Sequence, residues 1–540
     1  MTKPCLVTGL AMSALMMVGC AEGGPEQRAS VGTPEQRAEL FDTILSRVER
    51  REAFSPVKNE ALGVDPMSEM AALRDEFVAA SDPVSFYYAL SRLSNARRDR
   101  HLDVAILPDG LRLPDERGVP HAEESDDSAP LHAPLRVLPD YGTPGEVTFF
   151  VSDLPEQSST REGPRLGDRI VSVNGNPFAE YLAAAIPYHR YSSMPNLWWR
   201  MAMAFPERTA LLPPEFYREE LELELERLDG TVTRVALPYL EPESLAWQGA
   251  SDPRYPGFAL HHTTGTYDLY LPDPGGLDAV VLRWYGFRET LIEDVDSLMA
   301  FASREGLLDH AVIIDGTRSR GGSKGAYALQ RFASRPFRVT FGNLRISDVT
   351  LPFIEEKRAE VGASGALDSG VGETMDDGRW LMDWLENDVL DSLEAGAEYT
   401  NDVPFKLAHL PKDSDGTLPP ADVRFRGPLV LLLGPQGGSH LDQFAAQVID
   451  NGLGRTIGMP AGGYSNTWEW EEVLTLPGTD QPLVRFMYDI GHTVRPNGEI
   501  LEGRAAPVDD FVPLTRNNFA QYYQVLLERA LGVVAAGRAS

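Results

Sequence analysis

Cysteine is nearly absent from this chain of 540 residues, because the only two, Cys5 and Cys20, lie within the first twenty positions. The remaining chain has no thiol, which excludes a cysteine nucleophile, a cysteine-ligated metal and a structural disulfide there. Positive charge is also scarce: 49 Lys and Arg stand against 80 Asp and Glu, for a net charge of −31. That balance excludes nucleic acid as the main partner, because phosphate binding needs a basic surface.

The first 20 residues, MTKPCLVTGLAMSALMMVGC, carry a lysine near the start and then an apolar segment too short to span a membrane. This pattern predicts a secretory signal peptide. Its ending resembles a bacterial lipobox, with Met17 where leucine is more usual, and the resemblance implies a lipid attached to Cys20. A plain signal peptide with a chance cysteine is the alternative. With Ala21 next and a polar tether at 21–34, we expect a lipid-anchored protein of the cell envelope, at the outer membrane.

Beyond the tether, the hydrophobic pattern changes twice and predicts a multidomain α/β (α+β) protein. Residues 35–133 have helical periodicity followed by HLDVAILP, which we interpret as the first core strand. Residues 134–240 are rich in short strands, including a long alternating hairpin with Asp-Gly at its turn. In 255–525, apolar runs alternate with helices, which favours a largely parallel sheet buried on both faces. A polar, Gly-rich insertion occupies 345–420, and 526–540 is interpreted as a C-terminal tail.

The segment LGDRIVSVNGNP at 166–177 places Leu166, Ile170 and Val173 toward a core and Asn174-Gly175 in a tight turn. It closely resembles the corresponding stretch of a PDZ domain, and a generic hairpin is the alternative. PDZ domains bind an extended peptide C-terminus along a strand edge. The resemblance therefore implies polypeptide partners that are recognised through their C-termini.

Two strand–turn sequences in the third block could carry catalysis. AVIIDGTRSRGG at 311–322 leads a buried strand into Gly321-Gly322, and backbone N–H groups of such a turn can face a developing oxyanion. GPQGGSHLDQFAA at 434–446 leaves a second apolar strand through glycines and presents Ser439 just before an amphipathic helix. A sharp strand–turn–helix transition is one way in which hydrolases expose a serine nucleophile.

The order of these segments resembles peptidase family S41, the tail-specific or C-terminal processing proteases, over roughly residues 80–515. Asp315 and Gly321-Gly322 match the family's first strand–turn, and Ser439 with Asp442 matches its nucleophile turn. The resemblance implies an N-terminal helical region, a PDZ-like domain and a protease core of the ClpP/crotonase type. It also implies hydrolysis of peptide bonds in polypeptides without a cofactor.

One departure from the family concerns the base. The processing branch of the S41 family uses a lysine after the nucleophile helix as the base. In this chain Tyr464 stands near that position, and no lysine follows Lys412. Lys324 lies in the other turn. The sequence is closer to the branch that resembles tricorn protease, in which serine works with a histidine and a glutamate. On that resemblance Ser439 is the nucleophile, His101 in a D-x-H pattern is the general base, and Glu502 is its carboxylate partner.

Other assignments are secondary. The resemblance places the backbone N–H groups of Gly322 and His440 in the oxyanion hole, and it leaves Glu499 as the rival of Glu502. His261-His262 and His409 lack the spacing of a metal site with nearby carboxylates, so we expect no metal. The aromatic segment 189–214 and the insertion are candidates for a lid.

Two further interpretations stay open. One is a catalytically inactive S41-like lipoprotein that binds peptides, and the other is a structural lipoprotein of the envelope. The oligomeric state is not predicted.

Overall fold

The computed structural model describes residues 30–106, 130–156, 163–364, 375–404, 410 and 412–539. The predicted signal peptide, Cys20, most of the tether and His409 lie outside the described residues. Within the described ranges, no helix is both long and apolar enough to cross a membrane.

A bundle of short helices opens the described chain. Thr33 caps the first of them in a capping box, Asp82 caps the last in the same way, and a proline follows each cap. The bundle ends in a three-residue strand. These elements are α1 (Pro34–Arg51), α2 (Lys58–Leu62), α3 (Pro66–Ala72), α4 (Arg74–Ala79), α5 (Pro83–Asn95) and β1 (Val104–Ile106).

An antiparallel sheet with the order β3-β4-β5-β8-β9 forms the second unit. The predicted hairpin is confirmed: Glu220–Glu226 pairs with Val232–Pro238 around the Asp229-Gly230 turn. The elements are β2 (Leu131–His132), β3 (Arg136–Asp140), β4 (Thr148–Asp153), β5 (Arg169–Val173), β6 (Asn176–Pro177), α6 (Phe178–Ala185), α7 (Met194–Ala204), β7 (Glu207–Arg208), β8 (Glu220–Glu226) and β9 (Val232–Pro238).

The third unit begins with six strands and two helices, and the insertion follows. A π-helical turn, Trp384–Val389, joins the last two helices of the insertion. The elements are β10 (Phe258–Thr263), β11 (Tyr267–Pro272), β12 (Ala279–Trp284), α8 (Leu291–Arg304), β13 (Ala311–Asp315), α9 (Gly325–Gln330), β14 (Phe337–Arg338), β15 (Phe341–Gly342), α10 (Thr350–Ser364), α11 (Met375–Asp383), α12 (Leu390–Glu394), β16 (Val403–Pro404) and β17 (Thr417–Leu418).

The chain then returns to the central sheet and ends in a long helix. The remaining elements are β18 (Leu429–Leu433), α13 (His440–Asp450), β19 (Arg455–Gly458), β20 (Glu469–Thr475), β21 (Pro482–Asp489), β22 (Thr493–Val494), β23 (Asp510–Phe511) and α14 (Tyr522–Ala539).

Seven strands form the central sheet in the order β10-β11-β12-β13-β18-β19-β23. Strands β12, β13, β18, β19 and β23 run parallel, and β10 and β11 extend the sheet as an antiparallel edge. Strand β18 is apolar throughout because both of its faces are buried. Leu429, Leu431 and Leu433 pack in the cluster that contains α8, α9 and α13, while Val430 and Leu432 pack in the cluster that contains α14. Both faces of the sheet are covered, as the sequence predicts.

The structure corrects two sequence-based boundaries. The strand expected to begin the core, β1, pairs with β21 in a separate three-stranded sheet, because its short, half-buried segment completes the edge of the β20–β21 hairpin. The expected tail from 526 continues α14, whose Leu526, Leu527 and Ala530 are buried against the central sheet. Helical spacing of these apolar residues explains the packing.

The insertion is integrated into the fold. Its Phe353, Trp384 and Leu385 are buried in one hydrophobic cluster together with residues of α1, α4 and α5, and Trp384 stacks on Trp468. The carboxyl ends of β13 and β18 lie side by side, since Asp315 pairs with Leu432. In open α/β sheets, ligands bind at this edge.

Candidate active site

Ser439 lies at the turn between β18 and α13. Its backbone has φ 59° and ψ −122°, a conformation that residues with a side chain rarely adopt. The glycines before it are required by close approaches: a Cβ at Gly437 would lie 2.4 Å from the Ser319 carbonyl oxygen, and one at Gly438 would lie 2.1 Å from the Tyr464 ring. The turn therefore holds the serine in a strained, half-buried position directly before a helix. Strain of this kind is often found at functional sites.

The Gly321-Gly322 turn after β13 lies against this serine. A Cβ at Gly321 would come within 2.5 Å of the Ser439 Cβ and 2.9 Å of its Oγ. Gly322 has φ 136°, and a Cβ there would collide with the Phe287 carbonyl oxygen at 1.8 Å. Only glycine fits either position. The structure thus brings the two strand–turn sequences together, with the reactive oxygen of Ser439 between them.

His101 reaches the serine from the other side. Its Nε2 lies 3.2 Å from the Ser439 Oγ, although 338 residues separate the two in sequence. The backbone N–H of His101 donates to the Asp99 carboxylate at 2.9 Å, which fixes the turn that presents the ring. The imidazole packs edge-on against Tyr464, with ring centroids 5.3 Å apart. A hydroxyl and an imidazole at this distance can exchange a proton.

The segment Tyr464-Ser465-Asn466 links the parts of the site. The Tyr464 carbonyl oxygen accepts the Ser439 backbone N–H at 2.7 Å. The Ser465 N–H donates to Glu502 at 2.8 Å, and the Asn466 side chain donates to Asp99 at 3.1 Å. One loop therefore positions the serine, the glutamate and the aspartate together.

Glu502 lies beside His101 and is buried. One ligand atom each of Asp99, His101 and Glu502 lies within 4.8 Å of the other two. Burial first, and then the negative charge of Asp99, raise the pKa of Glu502 well above its ordinary value, while the positive charge of Lys58 opposes the shift. The rival Glu499 is half-exposed and pairs with Arg495 at 2.9 Å. The structure therefore brings Glu502, and not Glu499, next to the histidine.

Asp442, three residues after the serine, is buried and ties the Tyr464 loop to α13. Its carboxylate accepts the Gly463 N–H at 3.0 Å and the Tyr464 N–H at 3.1 Å. Burial raises its pKa to about 7, and the hydrogen bonds that it accepts oppose this shift. Asp442 acts on the position of the loop, since its oxygens point to backbone groups of the loop.

His440 is the first residue of α13, so its backbone N–H lies at the positive end of the helix dipole, next to Ser439. Its side chain turns away from the serine: Nε2 lies 2.7 Å from the Gly325 backbone N–H, and the ring packs on Phe287. His261 and His262 are exposed on the edge strand β10, away from this site.

Several charged groups around the site were not predicted from the sequence. Behind His101, Asp489 and Glu52 are buried near Asp99 and Glu502, and burial raises the pKa of both of these carboxyls. Glu52 forms a fully buried ion pair with Arg97. Arg100 and Arg200 interact with the Tyr464 phenol, and Arg190 lies close to both arginines. Arg100 adjoins His101 in the sequence, and this adjacency was the one signal that could have pointed to it.

The set Asp99, His101 and Glu502 also has the composition of a cation site, because two carboxylates and an imidazole are common ligands. The same imidazole lies 3.2 Å from the serine hydroxyl. A cation bound through His101 would therefore compete with the proton that a general base must accept. The donor set fits a serine–histidine–carboxylate arrangement without requiring a metal.

No protein-family model and no curated protein matches the chain. Among solved structures, mature CPAF matches with a TM-score of 0.66 and 17% identity, covering 92% of this chain and 96% of that chain. CPAF complexed with lactacystin matches with a TM-score of 0.66 and 15% identity, over 93% and 98% of the two chains. The photosystem II D1 C-terminal processing protease matches at 12% identity and a TM-score of 0.37, over 88% and 92% of the chains. The likeness to CPAF shows a shared fold.

Proposed function

We propose that this chain is a serine peptidase of the S41 type that hydrolyses peptide bonds of polypeptides. The observation that carries the proposal is the 3.2 Å approach of His101 Nε2 to the Oγ of Ser439, a serine held at φ 59° before a helix. The fold shared with CPAF supports it, because CPAF is a serine peptidase of the S41 family. Tyr464 at the expected lysine position favours the serine–histidine–glutamate branch.

In the first step, the Ser439 Oγ attacks the peptide carbonyl carbon and His101 Nε2 takes the hydroxyl proton. The imidazolium that forms is stabilised by the carboxylate of Glu502, while the Asp99 carboxylate holds the backbone of the His101 turn. His101 then gives its proton to the leaving amine, and the acyl group remains on Ser439. Water attacks this ester with the same histidine as base, which releases the second product and restores the serine.

The tetrahedral intermediate carries a negative oxygen that needs fixed donors. We assign this role to the backbone N–H groups of Gly322 and His440. Gly322 belongs to the turn packed against Ser439, and His440 starts α13 beside it. Donors held by a rigid sheet edge and a helix start need no reorganisation during the reaction.

We also propose finer assignments of fold. The unit at 134–240 is PDZ-like: its LGDRIVSVNGNP segment forms β5, the Asn174-Gly175 turn and β6, and it would bind substrate C-termini along a strand edge. The central sheet with α8, α9, α13 and α14 would be the ClpP/crotonase-like core. The lipid at Cys20 would hold the enzyme in the bacterial cell envelope, at the outer membrane.

A fluorophosphonate probe, which reacts with activated serines, tests the proposal directly. Full-length protein should be labelled at Ser439 and should cleave an unfolded polypeptide such as reduced casein. Ser439→Ala should lose both properties while keeping the same circular dichroism spectrum. Ser297→Ala, on the exposed side of α8, is the matched control and should keep both.

Absence of labelling and cleavage in folded wild-type protein would contradict the enzyme. It would favour the alternative in which the chain binds peptides without cleaving them. Equal labelling of wild type and His101→Ala would refute the base assignment alone.

A further inference from the structure

Helix α7 brings an arginine to the proposed active site. Two side chains at its start face the catalytic loops: Ser193 Oγ, just before the helix, donates to the Gly462 carbonyl oxygen at 2.6 Å, and Asn196 Nδ2 donates to the Pro435 carbonyl oxygen at 2.8 Å. Arg200, four residues after Asn196, lies on the same side of the helix. The helix is thus anchored on both sides of the nucleophile turn, with Arg200 directed to Tyr464.

Two more arginines approach the same place. Arg100 directly precedes His101, and its backbone N–H donates to Ser192 Oγ at 3.0 Å, just before α7. Arg190 precedes the same helix and forms an ion pair with the half-exposed Asp103 at 3.1 Å. The three guanidinium groups interact with one another, and those of Arg100 and Arg200 also interact with the Tyr464 phenol. Tyr464 in turn contacts the His101 ring.

One N–H donor of Arg100 and one of Arg200 have no acceptor among the described residues. The Nε of each is buried without a hydrogen-bond partner, and neither forms an ion pair with a described carboxylate. Buried donors in folded proteins are nearly always satisfied, so each exception needs an explanation. The arrangement is also unusual for a chain with a net charge of −31, in which carboxylates far outnumber cations.

The pKa shifts of Arg100 and Arg200 also indicate that negative charge is lacking around them. Burial first, and then the positive charges of Arg100 and Arg190, lower the pKa of Arg200 to about 10, well below its ordinary value. Burial and the charge of Arg190 lower the pKa of Arg100 as well. Concentrated positive charge of this kind is relieved by an anion placed among the guanidinium groups.

We infer that Arg100 and Arg200, with Arg190 at the rim, form a subsite that binds a carboxylate of the substrate peptide beside the catalytic serine. The inference rests on the proposed function and adds a substrate preference to it. A guanidinium presents its N–H donors in a fixed fork that matches the two oxygens of a carboxylate. The carboxylate can come from an acidic side chain near the cleaved bond or from a free C-terminus, and both sources offer the same group.

Internally quenched peptide pools distinguish the two sources. One pool fixes glutamate at a single position and mixes the other positions, and its partner pool fixes glutamine there. A second pair compares a free C-terminal carboxylate with a C-terminal amide. Wild type should cleave the better carboxylate pool roughly ten- to a hundredfold faster in kcat/KM than its neutral partner, because charged hydrogen bonds exceed neutral ones. A preference confined to the first pair identifies a side chain, and one confined to the second identifies a C-terminus.

Substitution tests the residues. Arg200→Gln should reduce the carboxylate-to-neutral ratio to within about threefold of unity, and Arg200→Lys should retain part of it because the charge remains. Arg304→Gln, on the exposed surface of α8, is the matched control and should keep the wild-type ratio. A ratio between two pools on one enzyme cancels any general loss of activity. No carboxylate preference in wild type, or an unchanged ratio in Arg200→Gln, would overturn the subsite.

A binding experiment separates this inference from the proposed function. Fluorescein-labelled versions of the same pools are titrated with full-length Ser439→Ala and followed by fluorescence polarisation. Tighter binding of the carboxylate pool, lost in Ser439→Ala/Arg200→Gln and weakened by salt, would support the subsite even if wild type cleaves no pool. Equal binding of both members of each pair would refute the subsite and leave the peptidase assignment untouched.

Discussion

The backbone N–H of Ser439 donates a 2.7 Å hydrogen bond to the carbonyl oxygen of Tyr464. Tyr464 stands where the resemblance to processing proteases places a lysine, and its side chain packs against His101. The tyrosine therefore contacts both the proposed nucleophile and the proposed base.

Gly438→Ala should disturb the nucleophile turn, because the added Cβ would lie 2.1 Å from the Tyr464 ring. We expect a stability loss of about 1–3 kcal/mol from overpacking and at least a tenfold fall in kcat. Tyr464→Ala should restore part of the stability in the double variant, since it removes the clashing ring. Gly362→Ala, at an exposed glycine of α10 with open space around it, is the control. Thermal denaturation and peptide hydrolysis measure both effects, and additive losses in the double variant would contradict the clash.

Glu502→Gln should lower kcat by roughly 10³–10⁴, as loss of the carboxylate behind a catalytic histidine does elsewhere. KM should change little, because Glu502 is buried beside His101. Glu499→Gln should retain wild-type kcat, since Glu499 pairs with Arg495 away from the site. Steady-state kinetics on one peptide substrate compares them. A larger loss in Asp99→Asn than in Glu502→Gln would transfer the orienting role to Asp99.

Ser439→Gly should be more stable than Ser439→Ala, although neither variant can form the acyl intermediate. The position has φ 59° and ψ −122°, which costs about 1–3 kcal/mol for a residue with a Cβ and little for glycine. Chemical denaturation of the two inactive variants measures this difference without interference from catalysis. Equal stability would mean that the turn is not strained.

Asp442→Asn should change how stability depends on pH. Burial raises the pKa of Asp442 to about 7, against an ordinary 3.8. Between these pH values the folded state retains a proton that the unfolded state releases, so this group makes the free energy of unfolding fall as pH rises. The asparagine variant cannot titrate and should lose that component, on the order of 2–4 kcal/mol over the window.

Unfolding of wild type and Asp442→Asn at several pH values between 4 and 8 measures the difference directly. The buried carboxyls Glu52, Asp489 and Glu502 are common to both proteins, so their contributions cancel in the comparison. Parallel pH profiles would show that Asp442 is ionised throughout.

Chelation should not reduce peptide hydrolysis, because the proposed reaction uses only protein groups. Added Zn²⁺ should inhibit, since the ligand atoms of Asp99, His101 and Glu502 lie within 4.8 Å of one another and the metal would occupy the base. Activity with EDTA, compared with activity under added zinc, measures both. Loss of activity with EDTA that zinc restores would reassign these residues to a metal centre.

Much of the architecture follows from local pattern. The alternating residues of 220–238 predict the hairpin that the structure contains, and the apolar runs of β13 and β18 predict parallel strands buried on both faces. These inferences succeed because side-chain period and turn chemistry are properties of short segments. The integration of α14 and of the insertion into hydrophobic clusters depended on distant partners, so the sequence alone could not show it.

The candidate site divides in the same way. The sequence by itself determined that Ser439 lies between a glycine-rich turn and a helix and that no lysine follows it in the chain. Only the tertiary structure decided which side chains lie around it. His101 reaches it from 338 residues away, Glu502 rather than Glu499 lies beside that histidine, and Arg100 and Arg200 lie near Tyr464. The physical reason is that a nucleophile turn is built by local backbone geometry, whereas a catalytic contact requires side chains from separate units, and their meeting is fixed by how those units pack.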